Sequence, residues 1–181
     1  LHWTNKGDNI SPLIDILKYT SKINDITLFL YGVFYRSGQC SLETGFSLSC
    51  SNIIVLKKCI QIFNINYVHA RLEFIKKREN GVYTAKASGN ITSIILNYIN
   101  IFYCGIYKKV PNIVLNSTYK SKLSFMRGYY NSNKNKNKYI LTNLGQIGTQ
   151  GLYILLNDLN FNVNINSDII HSLDDSSKYY T

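Results

Sequence analysis

The chain has 181 residues, of which 45% are hydrophobic and 17% are charged, and its formal net charge is +10. This composition excludes disorder over the whole length and is sufficient for one domain of ordinary size or two small ones. Between Lys57 and Lys138 the sequence has fifteen Lys and Arg residues but only two acids. Such a basic segment favours a polyanionic partner, because cations that contact phosphates release condensed counterions. The alternative is a solvated, lysine-rich face that reflects an A/T-rich genome.

The four cysteines form no CxxC pair, and the three histidines complete no zinc-binding pattern. We interpret the cysteines as small buried residues of a protein in a reducing compartment: Cys40, Cys50, Cys59 and Cys104. No signal peptide and no apolar run long enough to cross a bilayer is visible. The expected location is inside a host cell, in the cytoplasm or nucleus, without secretion or a membrane partner. The ends of the sequence, Leu1 and Thr181, indicate an excised or partial piece.

Taken in chain order, the predicted elements form a first copy of a structural repeat. An apolar helix that includes Thr27–Gly38 has Asp25 as its predicted N-cap, and polar–apolar alternation continues through Ser49. A second helix, with Ser51 as its predicted N-cap, follows from the helical spacing of its apolar residues. This helix spans Ser51–Phe63, and the remaining elements of the copy are a strand at Asn66–Lys76, a turn at Asn80–Gly81, a strand at Val82–Ala87 and a helix at Ile91–Phe102.

A second copy with the same order of elements follows. Ser121–Asn135 opens it, apolar spacing predicts a helix at Ile147–Leu159, and Phe161–Asn166 alternates as a strand. The sequence ends near Thr181, where the next strand is expected. The repeat therefore predicts an α+β fold with two pseudo-symmetric αββαββα halves, the second of them truncated. The predicted boundaries are 1–26 for a leading segment, 27–118 for the first repeat and 119–181 for the second.

The helices that open the two copies carry a recognisable motif. The nine residues Leu30–Gly38, LYGVFYRSG, and the nine residues Met126–Lys134, MRGYYNSNK, align with the LAGLIDADG motif. Together with Gly145–Asn166, they give a chain that resembles the two-repeat LAGLIDADG (DOD-type) homing endonucleases. It is most similar to the endonuclease domains of inteins in viral B-family DNA polymerases. The opening WTNKG, Trp3–Gly7, resembles the segment that leads from a splicing domain into the endonuclease.

The resemblance implies a monomer with internal pseudo-symmetry that binds double-stranded DNA and cleaves its phosphodiester bonds with Mg²⁺. In the family the two motif helices pack side by side through small residues, which assigns helix packing to Gly32 and Gly128. The eighth residue of each motif is a carboxylate that helps to hold the metal ions. Here these catalytic positions are Ser37 and Asn133, whose neutral oxygens are poor replacements for carboxylates in binding Mg²⁺.

Nearby acids offer little compensation for the two substitutions. Glu43 lies six residues after Ser37, in a predicted strand, and no Asp or Glu occurs from Asn80 to Asn157. We therefore expect that Mg²⁺ is not bound and that the cleavage activity is degenerate. The sequence does not distinguish which lysine would act beside the metal site in the family, and each candidate could instead contact phosphate or solvent: Lys86, Lys108, Lys109, Lys120 and Lys122.

The resemblance also implies that strand residues and the polar run after the second motif contact DNA. The assigned residues are Arg71, Lys76, Lys86, Lys134, Lys136 and Lys138. Alternation along the strand predicts one face with Arg71, Glu73 and Ile75 and the opposite face with Leu72, Phe74 and Lys76.

Two other functions fit the same residues. One is an RNA-binding, maturase-like module, and the other is a non-catalytic structural or interaction remnant that retains only the packing of the two helices. No protein-splicing chemistry is assigned, because the chain lacks an opening Cys or Ser and a closing His–Asn pair.

Overall fold

The first half of the chain alternates helices with antiparallel strands. In this computed structural model the described residues are 24–132, 143–163, 167–169 and 178–180. The elements of the first half are α1 Asp25–Ser37, β1 Gly38–Ser41, β2 Gly45–Cys50, α2 Ile53–Asn66, β3 Ala70–Lys77, β4 Tyr83–Gly89 and α3 Thr92–Phe102. The four strands form one sheet in the order β1-β2-β4-β3. The αββαββα order predicted for this half is confirmed.

A short connection joins this half to the second. It contains a hairpin of β5 Tyr103–Cys104 and β6 Tyr107–Lys108, and the one-turn helix α4 Asn112–Leu115. The second half comprises α5 Tyr119–Asn131, β7 Asn143–Leu144, α6 Gln146–Asp158, β8 Ser167–Ile169 and β9 Lys178–Tyr180. Its strands pair in the order β7-β9-β8. Helix α5 corresponds to α1, and α6 corresponds to α2, as the internal repeat predicted.

Aromatic side chains fill the space between α1 and the inner face of the first sheet. Phe34 on α1 stacks on Phe46 of β2 with ring centres 5.2 Å apart, and it meets Tyr98 of α3 edge-on at 4.6 Å. Phe63 of α2 and Phe102 of α3 complete the cluster, and all five rings are buried. Each such pair contributes about 0.5–1.5 kcal/mol beyond the area it buries. The cluster therefore holds the C-terminal half of α1 against the sheet.

Asparagines cap two helices, each one residue away from a predicted N-cap. The side-chain oxygens of Asn24 and Asn52 accept hydrogen bonds from the backbone N–H two residues on, at 3.2 and 3.0 Å. The predicted caps, Asp25 and Ser51, are therefore wrong. Asp25 lies in the first turn of α1 and accepts a hydrogen bond from Ser121 Oγ of α5 at 2.7 Å, which lowers the pKa of its carboxyl group.

A side chain from α2 occupies part of one edge of the sheet. Strand β3 pairs with β4 on one side only, so half of its backbone groups have no strand partner. Asn64 serves as that partner for Leu72: its Oδ1 accepts a hydrogen bond from Leu72 N at 2.7 Å, and its Nδ2 donates one to Leu72 O at 3.2 Å. The amide therefore joins α2 to the edge strand.

Two further predictions differ from the structure. The strand predicted at Phe161–Asn166 is wrong over residues 161–163, which have no regular structure, while residues 164–166 lie outside the described residues. Cys104 is exposed, because it lies at the tip of the β5–β6 hairpin beside Gly105. The other three cysteines are buried, as predicted. The hairpin itself is an element that apolar periodicity does not predict.

Candidate nucleic-acid interface

The first sheet has one polar face that is open to solvent. Side chains alternate between the two faces along each strand, and core residues such as Leu48 lie on the inner face. On the polar face, one row of facing residues crosses all four strands: Gln39 of β1, Ser47 of β2, Lys86 of β4 and Glu73 of β3. Amide, hydroxyl and charged groups of this kind can hydrogen-bond to the bases and phosphates of a nucleic acid.

A β-bulge changes the orientation of the residues near the end of β3. The pairing shifts between Phe74 and Lys76, so that Lys76 lies opposite Thr84 and Ile75 has no facing residue. Since facing residues of antiparallel strands share a face, Lys76 lies on the polar face with Lys86. The prediction that grouped Lys76 with Phe74 is wrong, because strict alternation does not allow for an inserted residue.

Three of the residues assigned to DNA contact lie together on this face. Arg71 is exposed opposite Ser88. Lys86 is exposed in the next row of facing residues, and Lys76 is exposed in the row after that. The face thus carries three cations across two adjacent strands, with Glu73 as the facing partner of Lys86. The other three assigned residues lie outside the described residues: Lys134, Lys136 and Lys138.

Helices α1 and α5 pack with their backbones in direct contact. A Cβ atom added to Gly32 would overlap the backbone oxygen of Phe125, and one added to Gly128 would overlap that of Phe29. Gly32 and Gly128 therefore lie at the two points where the helices touch, and a larger residue at either point would force them apart. This contact places the C-terminal ends of the two helices side by side.

Ser37 is the last residue of α1, at the position of the first motif acid. Its Oγ donates a hydrogen bond to Val33 O at 3.2 Å, so the hydroxyl group turns back along its own helix. Gly38 follows at once as the first residue of β1. The chain therefore passes from the helix end directly to the edge strand of the polar face. Asn133, the second motif position, lies outside the described residues.

Of the five candidate lysines, Lys108 lies at this end of α1. Its Nζ donates hydrogen bonds to Phe34 O at 2.9 Å and Tyr35 O at 3.1 Å, and also to Gly38 O. The ammonium group is 4.8 Å from the centre of the Phe34 ring. Burial lowers the pKa of Lys108 to about 8, against a smaller opposing effect from Cys40. The final carbonyl groups of α1 thus have a cation as their cap.

Two of the other candidate lysines form ion pairs elsewhere in the structure. Lys120 pairs with Asp25 at 3.1 Å, at the opposite end of α1, and Lys122 pairs with Asp158 at 2.6 Å. Lys86 lies on the polar face. Lys109 follows Lys108, and its backbone N–H donates to Phe102 O, which closes the β5–β6 segment onto α3.

Arg36, which the sequence analysis did not single out, links the ends of the two central helices. Its Nη1 donates a hydrogen bond to Tyr129 Oη of α5 at 2.8 Å, and its guanidinium carbon is 5.1 Å from the centre of the same ring. Burial raises the pKa of Tyr129, although the charge of Arg36 opposes this. The position of Arg36 in the sequence is the signal that could have identified it, because a cation in the last turn of a helix interacts favourably with the helix dipole.

The groups at the end of α1 do not fit a divalent metal ion. Mg²⁺ is bound in proteins chiefly by carboxylates and phosphates. This helix end instead presents the Ser37 hydroxyl, the Arg36 guanidinium and the Lys108 ammonium. Glu43 lies in the exposed turn between β1 and β2. Across the described ranges, no group of three or more His, Cys, Asp and Glu residues could hold a metal ion.

The chain has the fold of the LAGLIDADG homing endonucleases, so the resemblance seen in the two motifs is confirmed in three dimensions. Solved structures of I-DmoI align with it at 13% identity and a TM-score of 0.50. One, in complex with DNA and Mn, covers 86% of this chain and 88% of that chain. Another, of mesophilic variants of the homing endonuclease I-DmoI, covers 86% and 87%.

The chain is also similar to part of a viral protein, a DNA polymerase of Acanthamoeba polyphaga mimivirus. The two are 28% identical over an alignment 162 residues long, which covers 80% of this chain and 9% of the polymerase. The chain thus spans less than a tenth of the length of that relative. No family model matches the sequence. Within the described segments, no helix has both the length and the apolar character needed to cross a membrane.

Proposed function

We propose that the chain is a homing-endonuclease-like domain of an intein that binds double-stranded DNA and has lost metal-dependent cleavage. The observation that carries this proposal is a contrast between two neighbouring regions. The polar face presents the cations Arg71, Lys76 and Lys86, whereas the end of α1 presents Ser37 in place of an acid. The I-DmoI structures in complex with DNA support DNA as the partner of this fold.

The proposal extends to the organisation of the protein. Residues 27–118 and 119–181 would be the two repeats of a monomer with internal pseudo-symmetry, and residues 1–26 would lead in from a splicing domain. The similarity to a viral DNA polymerase supports an intein of such a polymerase as the origin. The DOD-type assignment and a location in the cytoplasm or nucleus of a host cell belong to the same proposal.

Binding is tested by fluorescence anisotropy with a labelled DNA duplex of random sequence over a series of salt concentrations. If Arg71, Lys76 and Lys86 each contact a phosphate, together they should contribute about 3 to the slope of log Kd against log salt, since each contact contributes about 0.9. Structured RNA is the competitor. Preferential displacement by RNA would favour the maturase-like module, and no salt-sensitive binding at all would favour the structural remnant.

Loss of cleavage is tested by incubating the chain with supercoiled plasmid and Mg²⁺ or Mn²⁺. The plasmid should stay supercoiled, because the residues at the end of α1 supply no carboxylate for a metal ion. A preparation carrying Glu43→Gln is the matched control for contaminating nucleases. Nicking by the unaltered chain that disappears in this variant would contradict the proposal and assign a metal-binding role to Glu43.

A further inference from the structure

Four helix ends meet at the end of the molecule where α1 begins. Asn66, the last residue of α2, donates a hydrogen bond from Nδ2 to Thr27 Oγ1 of α1 at 3.1 Å. Asp25, the first residue of α1, accepts a hydrogen bond from Ser121 Oγ in the first turn of α5 at 2.7 Å. An ion pair of 2.6 Å joins α5 to Asp158, the last residue of α6. The starts of α1 and α5 therefore lie beside the ends of α2 and α6.

Large apolar side chains are exposed on all four of these helix ends. Two belong to the first turns of α1 and α5, and the others belong to the last turns of α2 and α6 or follow them within three residues. Each is at least half exposed, and together we call them the apolar end: Ile26, Ile65, Val68, Tyr119 and Phe161. Single exposed apolar residues are ordinary, whereas a group of them at one place marks a contact site.

The leading part of the chain joins the structure beside the apolar end. Asn24 caps α1 and is the first described residue, so residues 1–23 are attached at this place. Half of the fourteen residues 10–23 are large and apolar: Ile10, Leu13, Ile14, Ile16, Leu17, Tyr19 and Ile23. Segments that stay in solvent are poor in such residues, whereas this one has ample apolar surface to bury.

We propose that residues 10–23 of the chain bind to the apolar end. This inference goes beyond the proposed DNA binding and does not depend on it. A segment attached at Asn24 loses little translational freedom on binding, because the chain already holds it close to the surface. A second copy of the chain would lose that freedom, and two proteins of formal net charge +10 also repel each other. The chain's own leading segment is therefore the favoured occupant.

Binding at the apolar end leaves the polar face open. The thirteen residues of α1, about 20 Å of helix, separate the apolar end from β1, the first strand of that face. The bound segment would hold the residues before it on the side of the molecule away from the polar face. A nucleic acid on the polar face and the leading part of the chain would then occupy opposite ends of α1.

The rate of trypsin cleavage after Lys18 and Lys22, followed by mass spectrometry, measures how far the segment is bound. Ile65→Asp places a charge in the apolar end and should speed this cleavage about tenfold, since proteolysis follows the population of the open form. Ile106→Asp is the matched control and should leave the rate unchanged. Ile106 is 84% exposed, against 78% for Ile65, and lies on the β5–β6 hairpin, which contacts the other end of α1. Equal rates in these two variants and the unaltered chain would overturn the proposal.

A double-mutant cycle tests the same contact from the segment. Leu13→Asp combined with Leu17→Asp should also speed cleavage after Lys22, because both substitutions remove apolar surface from the segment. Adding Ile65→Asp to this variant should change the rate little further, since the contact is already lost. Effects of the segment substitutions and of Ile65→Asp that multiply would show that they act at separate places, which contradicts the proposal.

Dilution distinguishes a contact within one chain from association of two copies. The cleavage rate of the unaltered chain should not depend on its concentration, and it should be slower than that of a free peptide of residues 10–23. Protection that is lost on dilution would assign the apolar end to a second copy and overturn the proposal. None of these measurements uses DNA, so failure to bind a duplex would reject only the proposed function. Circular dichroism of each variant establishes that the fold is intact.

Discussion

Gly32 of α1 contacts α5 in the same way as Gly128 of α5 contacts α1. A Cβ on Gly32 would meet the carbonyl of Phe125, three residues before Gly128, and a Cβ on Gly128 would meet the carbonyl of Phe29, three residues before Gly32. Exchanging the two helices reproduces the contact, as a local twofold axis requires. The pseudo-symmetry that two degenerate motifs predicted is therefore present at the level of backbone atoms.

Gly32→Ala should lower the free energy of unfolding by roughly 2–3 kcal/mol. The added methyl group overpacks a contact between two backbones, which cannot move aside as a flexible side chain can. Urea unfolding followed by circular dichroism measures the change. Gly105→Ala is the control, because its surroundings are open and only its left-handed backbone (φ +60°) opposes a side chain, at about 1 kcal/mol. A smaller loss at Gly32 than at Gly105 would contradict the close approach.

Lys86→Gln should weaken DNA binding and reduce the salt slope by about one, because Lys86 lies in the central row of the polar face. Glu73→Gln, which removes the facing acid, should strengthen binding to the same duplex. Anisotropy titrations of the two variants against the unaltered chain test both directions. If both substitutions leave the slope unchanged, the duplex does not lie on this face.

The stability of the protein should depend on the protonation of Lys108. Its pKa is lowered to about 8 in the folded state, so between that pH and its unfolded value the unfolded chain binds more protons. Stability should therefore rise as the pH increases from about 8 to 9.5, relative to a Lys108→Met variant that lacks this group. Unfolding in urea at several pH values gives the difference between the two proteins. A difference that is constant or decreases over this range would contradict the lowered pKa.

Thiol reactivity should distinguish Cys104 from the other cysteines. Cys104 is exposed at the hairpin tip, whereas burial raises the pKa of Cys40, Cys50 and Cys59 and keeps their sulfur atoms from reagents. Titration with a disulfide reagent under native conditions should show one fast thiol, which Cys104→Ser should abolish. The remaining thiols should react on unfolding in guanidinium. More than one fast thiol in the native protein would mean that the core is more open than described.

The sequence predicted the helices more accurately than the details at their ends. Helix α2 buries Leu56 and Phe63, whose spacing predicted it, and α6 of the second half buries Leu152 and Leu155 in the same way. The N-caps shifted by one residue because asparagine competes equally well with serine and aspartate for that position. The bulge at Ile75 depends on pairing with β4, and no local pattern reports it.

The end of α1 was predictable only in part. The motif alignment found Ser37 and its missing acid, because that position is set by local sequence. The role of Lys108 depends on contact with carbonyls about seventy residues earlier, and the contact of Arg36 with Tyr129 spans 93 residues. Five lysines had equal claims in the sequence, and only the packing of the β5–β6 hairpin distinguishes one of them. Long-range contacts of this kind determine the electrostatics at the end of α1, but they leave no periodic pattern in the sequence.

The two hydrogen bonds between Asn64 and Leu72 have a consequence for how copies of the chain behave toward each other. An open edge strand is a template on which another chain can add a strand and begin aggregation. Asn64 satisfies the outward N–H and C=O groups of Leu72, so an incoming strand would have to displace an amide that already makes both bonds. A side chain of α2 thus blocks edge-to-edge association at this point of β3 and helps a basic, tyrosine-rich chain to remain dispersed.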